Sequence, residues 1–401
     1  MSTSRPAPSR TLPSGSRSSR SRRLVVGGAA LLAAATLAAC SSSGEDSSGA
    51  EPSATGDGVL AGVCPEKVVI QADWEPEAEH GGIYELIGDD YEIDTDAKSV
   101  SGPLLADGED TGVAVEIRIG GAPVGYQAAP SLLYQDRDIM LGYGRTTEYM
   151  ITQEDTPVTA VLSSMEKSPY SIYWDPATYP DATKIADLKA SDAMISIGPE
   201  SSVWIDYLIG TGQVEESQLD RSDQNKPAMF VAANGSLAEA GFITAEPFMY
   251  EHEIADWGKP VIGELIADAG YPEYFQALVV RSDDVEAEKD CLEKLVPIMQ
   301  QAQADYIADP AGTNELIVEL VEAYDTGWVY TMEGAEFAHG AGIEKGIMAD
   351  GPDGTMGSFD TDRVQELIDI VSEYSDADVS SATPDSLVTN EFLDTSISAK
   401  G

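Results

Sequence analysis

Histidine, cysteine and basic residues are scarce in this chain, and each scarcity excludes something. Three histidines, His80, His252 and His339, with no pair at helical spacing and no Cys-x-x-Cys, leave a transition-metal site nothing to build on. Only 23 lysines and arginines stand against 70 aspartates and glutamates, a formal net charge of −47, so the surface repels nucleic acid and anionic lipid headgroups. No acid precedes Cys40, whereas six arginines do, so the remainder is more acidic still. No Gly-x-Ser-x-Gly, phosphate-loop or Gly-x-Gly-x-x-Gly fingerprint follows a strand-like run, which removes the common nucleophile-elbow and nucleotide-binding readings. No internal repeat is visible, and no cofactor is expected.

What is present suffices for one or two folded cores: 42% of residues are hydrophobic and 23% charged. Basic residues precede an apolar run at 24–39 that is too short, and too rich in alanine and glycine, for a membrane span, so residues 1–39 read as a targeting segment. The run ends in Leu37-Ala38-Ala39-Cys40, which resembles the lipobox of bacterial lipoproteins. That resemblance implies cleavage before Cys40, acylation of its thiol, and a protein held extracytoplasmically at the cell membrane by lipid alone. Arg22-Arg23 is a faint twin-arginine pattern, which leaves both general and twin-arginine export open. Residues 40–65 are mostly small and polar, a flexible tether with a reach of roughly 25 Å.

The first strand of the folded part is expected at 67–73, Lys-Val-Val-Ile-Gln-Ala-Asp, with Trp74 where it ends. Pro76 stops the strand, and Gly81-Gly82 with Ile83 and Tyr84 lets a first helix pack. At that position Trp74 either stacks on a solute or caps the sheet as a core residue. An acidic, glycine-punctuated stretch covers 88–112, followed by strands at 113–119 and 138–143. The second strand leads into the corner Gly144-Arg145-Thr146-Thr147-Glu148. Further strands are expected at 158–162, 170–174, 193–197, 259–266 and 274–280. Strands alternating with helices at this spacing predict an α/β protein with parallel βαβ units.

Several parts of the chain resemble the NMT1/THI5-like solute-binding proteins of ABC importers, which include sulfonate- and thiamine-precursor-binding branches. They are the Asp73-Trp74-x-Pro76 opening, its Glu79-His80-Gly81-Gly82-x-Tyr84 continuation, the Gly144–Thr147 corner and the pair Glu246-Pro247. The resemblance implies a two-lobed, type II periplasmic-binding-protein-like fold, each lobe a mainly parallel sheet flanked by helices with a cleft between. The expected division is 66–160 and 273–401 for a discontinuous first lobe and 161–272 for the second. Cytosolic relatives that make the thiamine pyrimidine carry a cysteine-rich motif this chain lacks, so the resemblance implies no enzyme.

With Cys40 assigned to lipid, Cys64 and Cys291 are left as a possible disulfide in an exported protein; two separate buried thiols are the alternative. A bond would place the first strand and the helix around residue 291 in one lobe.

The expected ligand-binding set is Trp74, His80, Tyr84, Gly144, Thr146, Thr147, Ser201, Ser202, Trp204, Glu246 and Tyr250. Gly144 allows close backbone approach, and Thr146 and Thr147 supply donors at a helix start. Ser201 and Ser202 either face the solute or simply cap the helix carrying Trp204. Proline fixes Glu246 in an extended conformation, where its carboxylate accepts from a ring amine or imide unless it is a surface acid in a salt bridge. The expected function is an extracytoplasmic receptor, monomeric, that captures a small heteroaromatic solute of the thiamine-pyrimidine or flavin kind and delivers it to an ABC permease. A nitrate- or sulfonate-type receptor is the alternative within the same fold. An exported hydrolase using an acid pair such as Glu79 and Glu246 is the alternative from another class. Glu75, Glu77 and Glu79 depart from the family pattern and point to a cationic or amine-bearing solute.

Overall fold

The β-branched run at the start of the folded part forms strand β1, Lys67–Gln71, with its last four residues buried. The computed structural model describes residues 57–399 apart from 192, 199–201 and 223–225. The targeting segment, Cys40, most of the tether and Ser201 therefore lie outside the described residues. After β1 come β2 Glu92–Asp94, β3 Ser99–Ala106, β4 Glu109–Arg118, β5 Ile139–Gly144 and β6 Val158–Ser163. Then follow β7 Tyr170–Trp174, β8 Met194–Ser196, β9 Leu219–Asp220, β10 Leu237–Phe242, β11 Ile262–Leu265 and β12 Ala277–Arg281.

These strands form two sheets flanked by helices. One has seven strands in the order β2-β3-β4-β1-β5-β12-β6, and the other five in the order β11-β7-β10-β8-β9. The chain leaves the first sheet after Ser163 and comes back to it at Ala277, so the fold is α/β with two lobes joined by two crossing segments. Both sheets are mixed, with five of the seven strands and four of the five running in one direction. Parallel pairing is confined to β4-β1-β5 and to β10-β8-β9. The reason is connectivity, since β12 re-enters between β5 and β6 and runs opposite to both.

The stretch 88–112 is strand and hairpin rather than irregular chain. Ala106 pairs with Glu109 across a two-residue turn in which Asp107 and Gly108 both have positive φ, 50° and 76°. That is the twist a tight antiparallel hairpin needs, and Asp-Gly is a favoured pair for it.

Helix Lys289–Ala308 buries Cys291, Leu292, Leu295, Val296 and Met299 against Val68, Ile70, Leu141 and Leu278 of the seven-stranded sheet. A disulfide joins Cys291 to Cys64, just before β1, with the Cα atoms 4.7 Å apart. Helix Thr361–Tyr374 has a different task. Its Val364, Leu367, Ile368 and Val371 belong to one core that includes Val69 and Ile139 of the first sheet and Ile172 and Ile195 of the second.

Arg363 on that helix also holds both crossing segments. It donates to Glu166 Oε1 at 2.8 Å and to the carbonyls of Pro272 and Glu273 at 2.9 and 3.0 Å, while its guanidinium lies 3.8 Å over the Tyr274 ring. Among the described residues, no helix is long and apolar enough to cross a membrane.

Candidate functional site

Strand β1 ends at Gln71, and Trp74 follows three residues on. Its carbonyl accepts from Gly120 N–H at 2.9 Å, and its ring lies against Gly121, where φ is +70° and a Cβ would come within 3.2 Å of the indole. Glycine at 121 thus lets the exit of β4 lie flat under the ring.

Trp74 is half-buried and belongs to an aromatic group. Its ring is 6.0 Å from that of the exposed Tyr126, tilted, and 6.1 Å from that of Trp328, edge-on at 87°. Trp328 in turn stacks on Tyr330 at 6.4 Å and 17°. The segment 325–331 carrying these last two rings was not anticipated from sequence.

Acids alternate along the same stretch as Trp74: Asp73, Glu75, Glu77 and Glu79. Glu77 has extended backbone, φ −156° and ψ 167°. Burial pushes its carboxyl well above the ordinary carboxylate range, and the charges of Glu79, Asp73, Glu246 and Glu75 push it the same way. Glu79 is also raised by burial, with the Thr244 hydroxyl beside it and His80 partly offsetting this. Glu75, 4% exposed, is raised by burial and moderated by Thr326 and Lys98.

Thr244 and Glu246 stand just beyond β10, so these neighbours place the end of β1 against the end of β10 from the other sheet. Glu246 Oε2 accepts from Phe242 N–H at 2.6 Å, which folds the carboxylate back onto its own turn before the short helix Glu246–Phe248. Helix Met332–Glu344 reaches the same place, with Phe337 and Phe248 rings 5.5 Å apart. Among the described residues, no group of three or more His, Cys, Asp and Glu side chains is arranged to hold a metal ion.

Several sequence-predicted site residues are enclosed within the fold, with partners of their own. His80 is fully buried, with Nε2 2.8 Å from Asp73 Oδ1 and 3.1 Å from Gln276 Nε2, so it fixes Asp73. Tyr84 is buried in the core of the first sheet. Gly144 is the buried last residue of β5. Thr146 donates its hydroxyl to the Tyr274 carbonyl at 2.9 Å, and the Thr147 hydroxyl pairs with Tyr271 OH at 2.7 Å. Both threonines are therefore committed to the returning crossing segment. Neighbouring Arg145 lies 4.5 Å over the Phe275 ring and lowers the raised carboxyl of Glu273.

Tyr250 is buried in the second lobe and donates to Glu239 Oε2 at 2.7 Å, the oxygen that Tyr173 OH also reaches. Ser202 makes no side-chain cap to the helix Val203–Gly210 that it precedes. Trp204 begins a second chain of rings, to Tyr170 at 5.3 Å, Phe242 at 5.1 Å from Tyr170, and Phe275 at 5.6 Å from Phe242. That chain runs from the second lobe to the returning segment.

No protein-family model matches the chain, and no curated protein matches its sequence. Solved structures do share its fold. The chain is similar to the ligand-binding component of an ABC-type import system from Staphylococcus aureus, with zinc bound, at 11% identity over 82% of this chain and 98% of that one, TM-score 0.52. It is similar also to the periplasmic aliphatic sulphonate-binding protein SsuA from Escherichia coli, at 11% identity over 78% of this chain and 87% of that one, TM-score 0.50. At such identities the likeness is one of fold.

Proposed function

We propose that the chain is the extracytoplasmic solute receptor of an ABC importer, closing its two lobes on a small, flat, nitrogen-bearing solute. The observation that carries this reading is that acids following β1 reach residues following β10 of the other lobe, Glu79 lying beside the Thr244 hydroxyl and Glu77 within electrostatic reach of Glu246, on the same stretch as the half-buried Trp74. A fold alone does not name a function. Here the fold supplies two lobes on two crossing segments, and the residues that follow β1 and β10 supply an aromatic face and hydrogen-bond acceptors. The similar structures are, by their names, a ligand-binding component of an importer and a periplasmic binding protein, which supports the same reading. Lipid attachment at Cys40, a permease partner and a monomeric state belong to this proposal.

Two alternatives fit less well. A nitrate or sulfonate would enter a place crowded with carboxylates. A hydrolase would need Glu79 and Glu246 free to move protons, whereas Glu79 lies against Thr244 and Glu246 holds the Phe242 N–H.

A thermal-shift screen of the full chain in mild detergent tests the proposal, because a solute that binds only the folded state raises the melting temperature. The panel is thiamine-pyrimidine precursors, riboflavin, nucleobases, polyamines, aliphatic sulfonates and nitrate. A shift with a nitrogen heterocycle or amine, lost in Trp74→Ala and in Glu246→Ala, supports the reading. A shift only with sulfonate or nitrate, or one indifferent to both substitutions, contradicts the assigned site.

A further inference from the structure

The segments 74–78 and 326–330 face each other along their length. Thr326 lies against the Glu75 carboxyl, the Trp74 and Trp328 rings meet edge to face, and Ala78 N–H donates to Tyr330 OH at 3.0 Å. Around this seam, buried polar atoms stand without hydrogen-bond partners: Glu75 Oε2, Trp328 Nε1 and the hydroxyls of Tyr84 and Tyr324. Tyr84 and Tyr324 are core residues of the first sheet within electrostatic reach of Glu75. Buried polar groups normally find partners, and Glu75 Oε2 and Trp328 Nε1, left over on the two facing segments, call for an occupant. The chemistry of the seam says which kind.

We propose that the aromatic group of Trp74, Trp328, Tyr330 and Tyr126 receives on its ring faces the positive charge of an organic cation, a protonated or alkylated amine, with Glu75 and Glu77 as its counter-charges. This rests on the solute-receptor reading and names the substrate class of that same site. Indole faces attract a cation through their negative π surface, and Trp74, Trp328, Tyr330 and the exposed Tyr126 present four rings at centroid spacings of 6.0–6.4 Å. The largest electrostatic influences on Glu77 all come from other carboxylates, which is an expensive arrangement for an empty site and a favourable one for a cation. Lys98, whose ammonium donates to the Tyr324 carbonyl, offsets part of the charge of Glu75, whereas no cation is among the leading influences on Glu77. Rings and acids therefore converge on a single positive charge, and the aromatic walls favour a bulky, weakly hydrated one over a small metal ion.

The test is a tryptophan-fluorescence titration of the full chain with choline, benzyltrimethylammonium and benzylammonium, against 3,3-dimethyl-1-butanol as the neutral isostere of choline and against ethanesulfonate. The expected result is saturable binding of at least one cation, at least tenfold tighter than the neutral isostere, and weakened at least tenfold in both Trp328→Leu and Glu75→Gln. Circular dichroism of each variant separates lost binding from lost folding. Trp328→Phe keeps an aromatic wall and should retain most of the affinity. Saturable binding of ethanesulfonate, or of an uncharged heterocycle from the thermal-shift panel, with no preference for cations overturns this inference and leaves the receptor reading standing. No binding by any member of either panel overturns both.

Discussion

Tyr330 accepts the backbone N–H of Ala78 at 3.0 Å across 252 positions of sequence, and by doing so brings Trp328 to the face of Trp74. The relationship is structural at one end and chemical at the other. Tyr330→Phe removes the hydroxyl but keeps the ring, leaving the Ala78 N–H without its partner. The expected cost is about 1 kcal/mol in urea unfolding. Stability equal to wild type would mean that water replaces the contact and that the seam does not depend on it.

Arg363 joins both crossing segments, through Glu166 on one and through Pro272 and Glu273 on the other. Arg363→Met keeps the stem and removes the charge, stranding Glu166, whose carboxyl is already raised by burial. The variant should lose about 2 kcal/mol in chemical denaturation, less than a fully buried pair because both side chains keep some exposure. An unchanged midpoint would remove Arg363 as the tie between lobes.

Stability of the solute-free protein should fall as pH rises from about 5 to about 7.5. Glu75, Glu77, Glu79, Glu166, Glu264 and Glu273 are all raised by burial first. Between the ordinary carboxylate range and their raised values, the folded state holds protons that the unfolded chain has lost, so each unit of pH costs stability. Carboxyls lowered by their partners, such as Glu116 and Asp353, act only at lower pH, where their contribution disappears as pH falls through their folded values. His339, lowered by burial, works in the opposite direction, as one group against these and the likewise raised Glu85 and Asp206. Thermal melts at pH 5 and pH 7.5 check this, and a higher midpoint at pH 7.5 would contradict it.

The disulfide Cys64–Cys291 closes a loop of 227 positions and pins the start of β1 to helix Lys289–Ala308. Loop entropy sets its contribution at about 5 kcal/mol at most. Cys64→Ser with Cys291→Ser should lower the unfolding free energy by about 2–5 kcal/mol. Wild type in reductant should show the same loss, and a difference below about 1 kcal/mol would mean that packing of the helix already fixes the strand.

The first strand was legible because the β-branched run Val68-Val69-Ile70 leads to a proline stop at Pro76, and Trp74 follows from where the strand ends. That the chain leaves one sheet and comes back to it could be asked of the sequence through the possible Cys64–Cys291 pair, which was one of two readings of those cysteines. The hairpin at Asp107-Gly108 was equally available in sequence, yet its acidic surroundings disguise it as loop. Thr146 and Thr147 have the chemistry of solute donors, but their partners arrive from residues 271–274, and no local pattern announces that. His80 likewise reads as part of a motif until burial and Asp73 account for it. Trp328 and Tyr330 could not be found from their own neighbourhood, since their role is set by segment 74–78 more than two hundred positions away.

The central claim is that acids from both lobes are held together for the sake of a solute, and Glu77→Gln tests it most directly. Binding sites often carry strain that costs stability, so relieving it should stabilise the solute-free chain by about 0.5–2 kcal/mol. The same substitution should weaken the solute found by the thermal-shift screen. Melting curves and titrations on one preparation of the full chain measure both quantities. A higher melting temperature together with weaker binding is the predicted result. A lower melting temperature, or binding as tight as wild type, would contradict the account.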